Sequence, residues 1–189
     1  MKDRQRARFR RACVAGAVVL WAWAGGCATT PRTEEGRRAL DLEAQAVLQR
    51  LSAADPTLPA FLERGYAYAV FPSIGKGGLG IGGAYGRGAV YERGQLIGYA
   101  DVTQATLGLQ IGGQSYSQLL VFQDKETLER FKSGNFTFAA NASAVAVKAG
   151  AAAATDFQNG TAVFTQSEAG LMAEASIGGQ RFTYQPAPR

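Results

Sequence analysis

Lys76, Arg87 and Lys148 each lie within or beside a run of glycine and alanine. In such a run, backbone amides and a cation can together meet an anionic head group. Gly80, Gly82, Gly86 and Gly88 recur at every second position or a multiple of it. On a strand they leave one face nearly bare, so that another layer or a ligand can approach the backbone closely. Gly75-Lys76-Gly77-Gly78-Leu79-Gly80 also satisfies G-x-G-x-x-G. That fingerprint holds a pyrophosphate only when a helix N-terminus follows, and here a strand-like alternation follows instead. The Walker pattern fails as well, because Gly77 stands where Ser or Thr is needed. No cofactor is expected.

What is missing bounds the chemistry further. The chain has no histidine, and its cysteines, Cys13 and Cys27, lie at or before position 27, as do Trp21 and Trp23. Cys/His zinc sites, Cys/His nucleophiles and Ser-His-Asp triads are therefore excluded from the rest of the chain, and so is a disulfide framework. Acids remain, among them Glu92, Asp101, Asp156, Glu168 and Glu174. Their spacing singles out no pair for glycoside hydrolysis, and the chain is not expected to be an enzyme.

The charge divides sharply. Lys2, Arg4, Arg6, Arg8, Arg10 and Arg11 precede Ala12, and beyond them 14 basic residues face 14 acidic ones. The basicity belongs to the leader. A neutral remainder argues against a nucleic-acid partner. The leader has a basic start, an apolar run over Ala12–Ala24 and then Gly25-Gly26-Cys27, the three-part layout of an export signal over residues 1–26. Two endings fit. Ala24-Gly25-Gly26-Cys27 resembles the bacterial lipobox, with Ala24 in place of the usual Leu, so that Cys27 would be acylated and anchor the chain to the outer membrane. Ala22-Trp23-Ala24 fits small-x-small cleavage, which would release a soluble periplasmic or secreted protein.

These residues must be held by folded elements. After a tether over 27–32, Thr33 is placed to cap a helix carrying Leu40, Val47, Leu48 and Leu51 up to Pro56, and a short helix is expected over Leu58–Arg64. The period then becomes two: Tyr66–Phe71 reads as a strand stopped by Pro72, and Leu79–Tyr91 as another. Leu107–Gly112, Gln118–Phe122, Phe136–Gly150, Thr161–Thr165 and Leu171–Gly178 read likewise, with a helix over Asp124–Lys132 and a turn at Asn159-Gly160. The expected class is α+β, with N-terminal helices, one central helix and a curled, barrel-like, mainly antiparallel Gly/Ala-rich sheet.

With these blocks in place, residues 65–185 resemble the SYLF domain, also called Ysc84 or DUF500. The resemblance rests on Ala69-Val70-Phe71-Pro72, Gly77 through Gly83, Gly86-Arg87-Gly88, Gly108 through Gln114, Ala139 through Ser143 and Ser167 through Ser176. Ala149-Gly150-Ala151-Ala152-Ala153 departs from the family's Gly-Pro-x-Gly-Arg and removes an arginine, and Phe164-Thr165 replaces a common Tyr-Ser. Eukaryotic members bind phosphoinositides, and some bind actin. The resemblance implies a phospholipid-binding module, with the helical segment 33–64 packing on it. A structural lipoprotein that binds another envelope protein is the alternative.

Overall fold

The computed structural model describes residues 31, 33–79, 81–107, 113–134, 136–138, 143–167, 175–176 and 179–188. The leader, Cys27, Gly80, the block 108–112 and residues 168–174 lie outside them.

Helix α1 covers Glu34–Ala54, and the Thr33 hydroxyl caps it by accepting from the Gly36 amide at 3.1 Å, with Glu34 and Glu35 in the first turn. Its buried stripe is Leu40, Ala44, Val47 and Leu51, one residue per turn on the face toward the sheet. Helix α2 follows at Leu58–Arg64 with Pro59 in its first turn. Helix α3, Lys125–Lys132, is capped by Asp124, whose carboxylate accepts from the Thr127 amide at 2.8 Å.

The strands are β1 Ala67–Leu79, β2 Ile81–Glu92, β3 Gln95–Leu107, β4 Gly113–Phe122, β5 Ser143–Ala146, β6 Thr161–Ser167, β7 Ala175–Ser176 and β8 Gln180–Pro186. They form one sheet in the order β7-β5-β6-β4-β1-β2-β3-β8, antiparallel except for the parallel β5–β6 pair. Among the described residues β7 and β8 are its edges, and the hydrogen-bond ladder does not close between them. Asn159 and Gly160, with φ of 52° and 80°, make the expected left-handed turn ahead of β6.

Two expectations change. Pro72 does not end β1: the registers with β2 and β4 both shift between Val70 and Ile74, so Pro72 sits in a β-bulge that tolerates its missing N–H, and the strand continues to Leu79. Of the expected strand over Phe136–Gly150, the described residues form a strand at Ser143–Ala146 and a bridge from Thr137 to Arg181, while 147–150 leave the sheet and 139–142 lie outside the described residues.

Each face of the sheet carries a core. On one, α1 and α2 cover Val70, Ala89, Tyr91, Tyr99, Leu119, Val121 and Phe164. On the other, Phe71, Val90, Val102, Leu120 and Phe122 pack with Leu128 and Phe131 of α3 and with Phe182. This second face is concave. Gln118 on β4 and Gln180 on β8 exchange hydrogen bonds of 2.9 and 3.0 Å although β1, β2 and β3 lie between their strands. In a flat sheet they would stand about 19 Å apart. The sheet curls to bring them together.

Candidate functional site

Beyond the bulge the strands run past the helices, and this distal half holds two of the three candidate cations. On its concave face β2 presents Ala84 and Gly86, with Gly88 at the level of the bulge, all buried. A Cβ on Gly86 would lie 2.7 Å from Ile74 Cγ1, and one on Gly88 would lie 2.6 Å from the Val70 carbonyl oxygen and 2.8 Å from Phe71 Cδ1. These two glycines therefore do not open the backbone to a ligand, as their spacing suggests. They make room for the bulged β1, whose own residues fill the approach. Gly82 is half-buried opposite Gly78 and Thr106.

Farther along the concave face the lining turns polar. Gln180 Nε2 also donates to the Tyr116 hydroxyl at 3.2 Å, and Gln118, Gln180 and Tyr116 are all buried. Burial pushes the Tyr116 phenol up to about 12, partly offset by the bond from Gln180, so it stays neutral. Lys76 stands past this layer, half-buried, opposite Ala84 on β2 and Gln114 on β4.

The convex face of the same half is different. Ser73, Gly75, Gly83, Tyr85, Arg87, Thr103 and Ala105 are exposed there. A Cβ on Gly75 would meet nothing within 4 Å, so the backbone is accessible on this face. Ser73 and Ser115 share a 2.7 Å hydrogen bond, and the Tyr85 hydroxyl donates to Asp101 Oδ1 at 3.2 Å. Arg87 lies across from Ser73 and Asp101, and Arg181 across from Thr103. Lys76, Arg87 and Arg181 take part in none of the salt bridges among the described residues.

The three cations chosen from the sequence thus do not converge. Lys76 pairs with Ala84 and Arg87 is three residues on, so the pleat sends them to opposite faces. Lys148 follows β5, which β6 and β4 separate from β1. Arg181 joins the convex face of Arg87 because β8 pairs with β3. The alternation Arg181-Phe182-Thr183-Tyr184 was the signal for that strand.

Lys148 opens a turn that is tied to the helices. Asp55, between α1 and α2, accepts from the Gly150 amide at 3.0 Å, the Ala152 amide at 2.6 Å, and the Thr57 amide and hydroxyl at 3.0 and 2.7 Å. Burial pushes this carboxyl up, but the hydrogen bonds from Ala152, Thr57 and Gly150 outweigh it and hold it below its ordinary 3.8. The block that departs from the family pattern is therefore an amide nest filled by the chain's own carboxylate.

Residues 103–186 match the Ysc84 family, described as a Las17-binding protein actin regulator. The chain is also 30% identical, over 154 residues, to Beta cell expansion factor A of Aeromonas veronii. That alignment takes in 80% of this chain and 59% of the relative, so the chain spans less than two thirds of the curated protein it matches.

Proposed function

Because residues 103–186 of this chain are a domain of the Ysc84 (SYLF) family, we propose that the protein binds phospholipid without catalysing a reaction, as a lipoprotein anchored to the outer membrane through acylated Cys27. One observation carries the binding reading. Among the described residues no helix covers the convex face of the distal half, and this face offers Arg87 and Arg181 beside hydroxyls and open backbone at Ser73, Gly75 and Thr103. A cation with neighbouring donors suits a phosphate ester. The absence of histidine, and of cysteine after position 27, supports binding over catalysis.

The test uses the chain with Cys27→Ser, which cannot be acylated. It should float with phosphatidylglycerol vesicles and not with pure phosphatidylcholine, and Arg87→Glu should abolish the difference. Equal behaviour toward both vesicles in the parent chain overturns the reading. For the anchor, mass spectrometry of the mature N-terminus should find Cys27 acylated, and an unmodified peptide starting at Gly25 refutes it.

A second reading, a structural envelope lipoprotein with a protein partner, draws support from Gly86 and Gly88. Both are filled by β1, so they serve packing. Under that reading Arg87→Glu leaves capture of the partner intact.

A further inference from the structure

We propose that Arg50 of α1 and Arg87 of β2 clasp a phosphate monoester between them, above the hydroxyl pair of Ser73 and Ser115, on the convex face at the level of the bulge. This rests on the phospholipid-binding reading and adds the seat of the phosphate, its class and a contribution from the helical segment.

Geometry supplies the first observation. Arg50 reaches from the flank of α1 to β4 and β6: its Nε donates to Gln166 Oε1 at 2.9 Å and its Nη2 to Ser117 Oγ at 2.8 Å. Ser117 is buried and in turn donates to the Pro72 carbonyl at 2.8 Å, so the guanidinium is fastened to the bulge itself. These bonds hold the fork in place and leave Nη1 without a partner among the described residues. Nearby, Ser73 and Ser115 share their hydrogen bond of 2.7 Å. Such a pair uses a single hydroxyl hydrogen and leaves the other for a third acceptor. Ser73 pairs with Arg87 on β2, and both are exposed. Ser117, Ser73 and Arg87 thus stand on the successive strands β4, β1 and β2 of one face. The span from the first to the last is about 10 Å at about 4.8 Å per strand, a gap that two guanidinium groups can close on one anion.

Charge supplies the second. Neither arginine takes part in a salt bridge among the described residues. Asp101 pairs with Arg87 from β3 and so stands on the side of Arg87 away from Ser73; it is buried and accepts from the Tyr85 hydroxyl. The seat is therefore bordered by donors, the Arg50 fork, Arg87 and a serine hydroxyl. A phosphate monoester brings three terminal oxygens and a charge of about −1.5 to −2 at neutral pH. A carboxylate or a phosphate diester brings a single charge, which leaves one arginine over. Arg50 is already held, so little of its side-chain freedom is lost when the anion arrives.

The experiment compares phosphate classes. The Cys27→Ser chain is titrated with phosphatidylcholine vesicles that carry phosphatidic acid or phosphatidylglycerol at matched surface charge, and separately with glycerol 3-phosphate by calorimetry. Phosphatidic acid should be bound about tenfold more tightly than phosphatidylglycerol, and Arg50→Gln should erase that preference. Because Arg50→Gln also unfastens α1 from the bulge, Ser73→Asp repeats the test at an exposed position: its carboxylate takes the seat between the arginines and should erase the preference too. Arg38→Gln removes the same charge from an exposed position of the same helix and should leave the preference intact. Equal affinity for the two vesicles in the parent chain, a preference that survives Arg50→Gln and Ser73→Asp, or one that Arg38→Gln also abolishes, overturns the seat while lipid binding stands. Binding of glycerol 3-phosphate without association with either vesicle overturns the phospholipid reading and makes the seat one for a free ester. Competition between glycerol 3-phosphate and phosphatidic acid vesicles supports both, and no binding of any probe overturns both.

Discussion

The proximal and distal halves of the sheet share strands and differ in what covers them. Near the helices both faces are packed: Val70, Ala89 and Leu119 against α1 and α2, Phe71, Leu120 and Phe122 against α3 and Phe182. Past the bulge the concave face narrows to small residues and a glutamine layer, and the convex face meets solvent. Stability is therefore concentrated in the proximal half, and the distal half is free to be polar, glycine-rich and available to a partner.

Substitutions test this contrast, beginning with the largest effect. Phe71→Ala removes a fully buried ring packed on Phe182 at 5.7 Å between centroids and should cost about 3–5 kcal/mol in denaturant unfolding. A cost under about 1 kcal/mol would mean that the proximal core is not where stability lies. Gly88→Ala, at the boundary of the halves, places a Cβ 2.6 Å from the Val70 carbonyl oxygen and should cost about 1–3 kcal/mol by overpacking.

Asp55→Asn probes the tie between helices and domain, and should cost about 1–3 kcal/mol at neutral pH because a buried amide group is set against amide donors. Its pH dependence follows from the lowered carboxyl. The unfolded chain takes up the proton first as pH falls, so the contribution of Asp55 is complete above the ordinary value of 3.8 and disappears as pH drops through the lower, folded value. Melting temperatures of parent and variant should thus converge toward low pH, and a constant gap refutes the carboxylate latch. The smallest effect belongs to Gly75→Ala on the convex face: open space around its Cβ predicts unchanged stability or a gain of about 0.4–1 kcal/mol. A clear loss would show that this face is packed after all.

Much of the fold was legible because its signals are local. Thr33, Pro59 and Asp124 mark helix starts through capping and fixed φ, and Asn159-Gly160 marks a turn through its left-handed backbone. The alternation in β2 gave its two faces correctly, with Tyr85, Ala89 and Tyr91 on one and Gly82, Gly86 and Gly88 on the other. What occupies each face depends on the curl, which is a long-range property. Pro72 misled for a similar reason, since a bulge is set by two neighbouring registers and not by the proline alone. Strand β3 went unread because Gly98 and Asp101 interrupt its pattern; β8 went unread although Arg181-Phe182-Thr183-Tyr184 alternates, and with it went Arg181. Lys76 and Arg87 were found by type, but only the register separates their directions.

The paired amides of Gln118 and Gln180 also bear on how the chain folds. Their contact spans 62 positions, and β1, β2 and β3 must be joined before the two residues can meet. Contacts of such separation form after the loop-closure cost of the intervening chain has been met. The bridge is thus a late event on the folding route, and weakening it with Gln180→Ala accelerates unfolding while leaving the refolding rate nearly untouched.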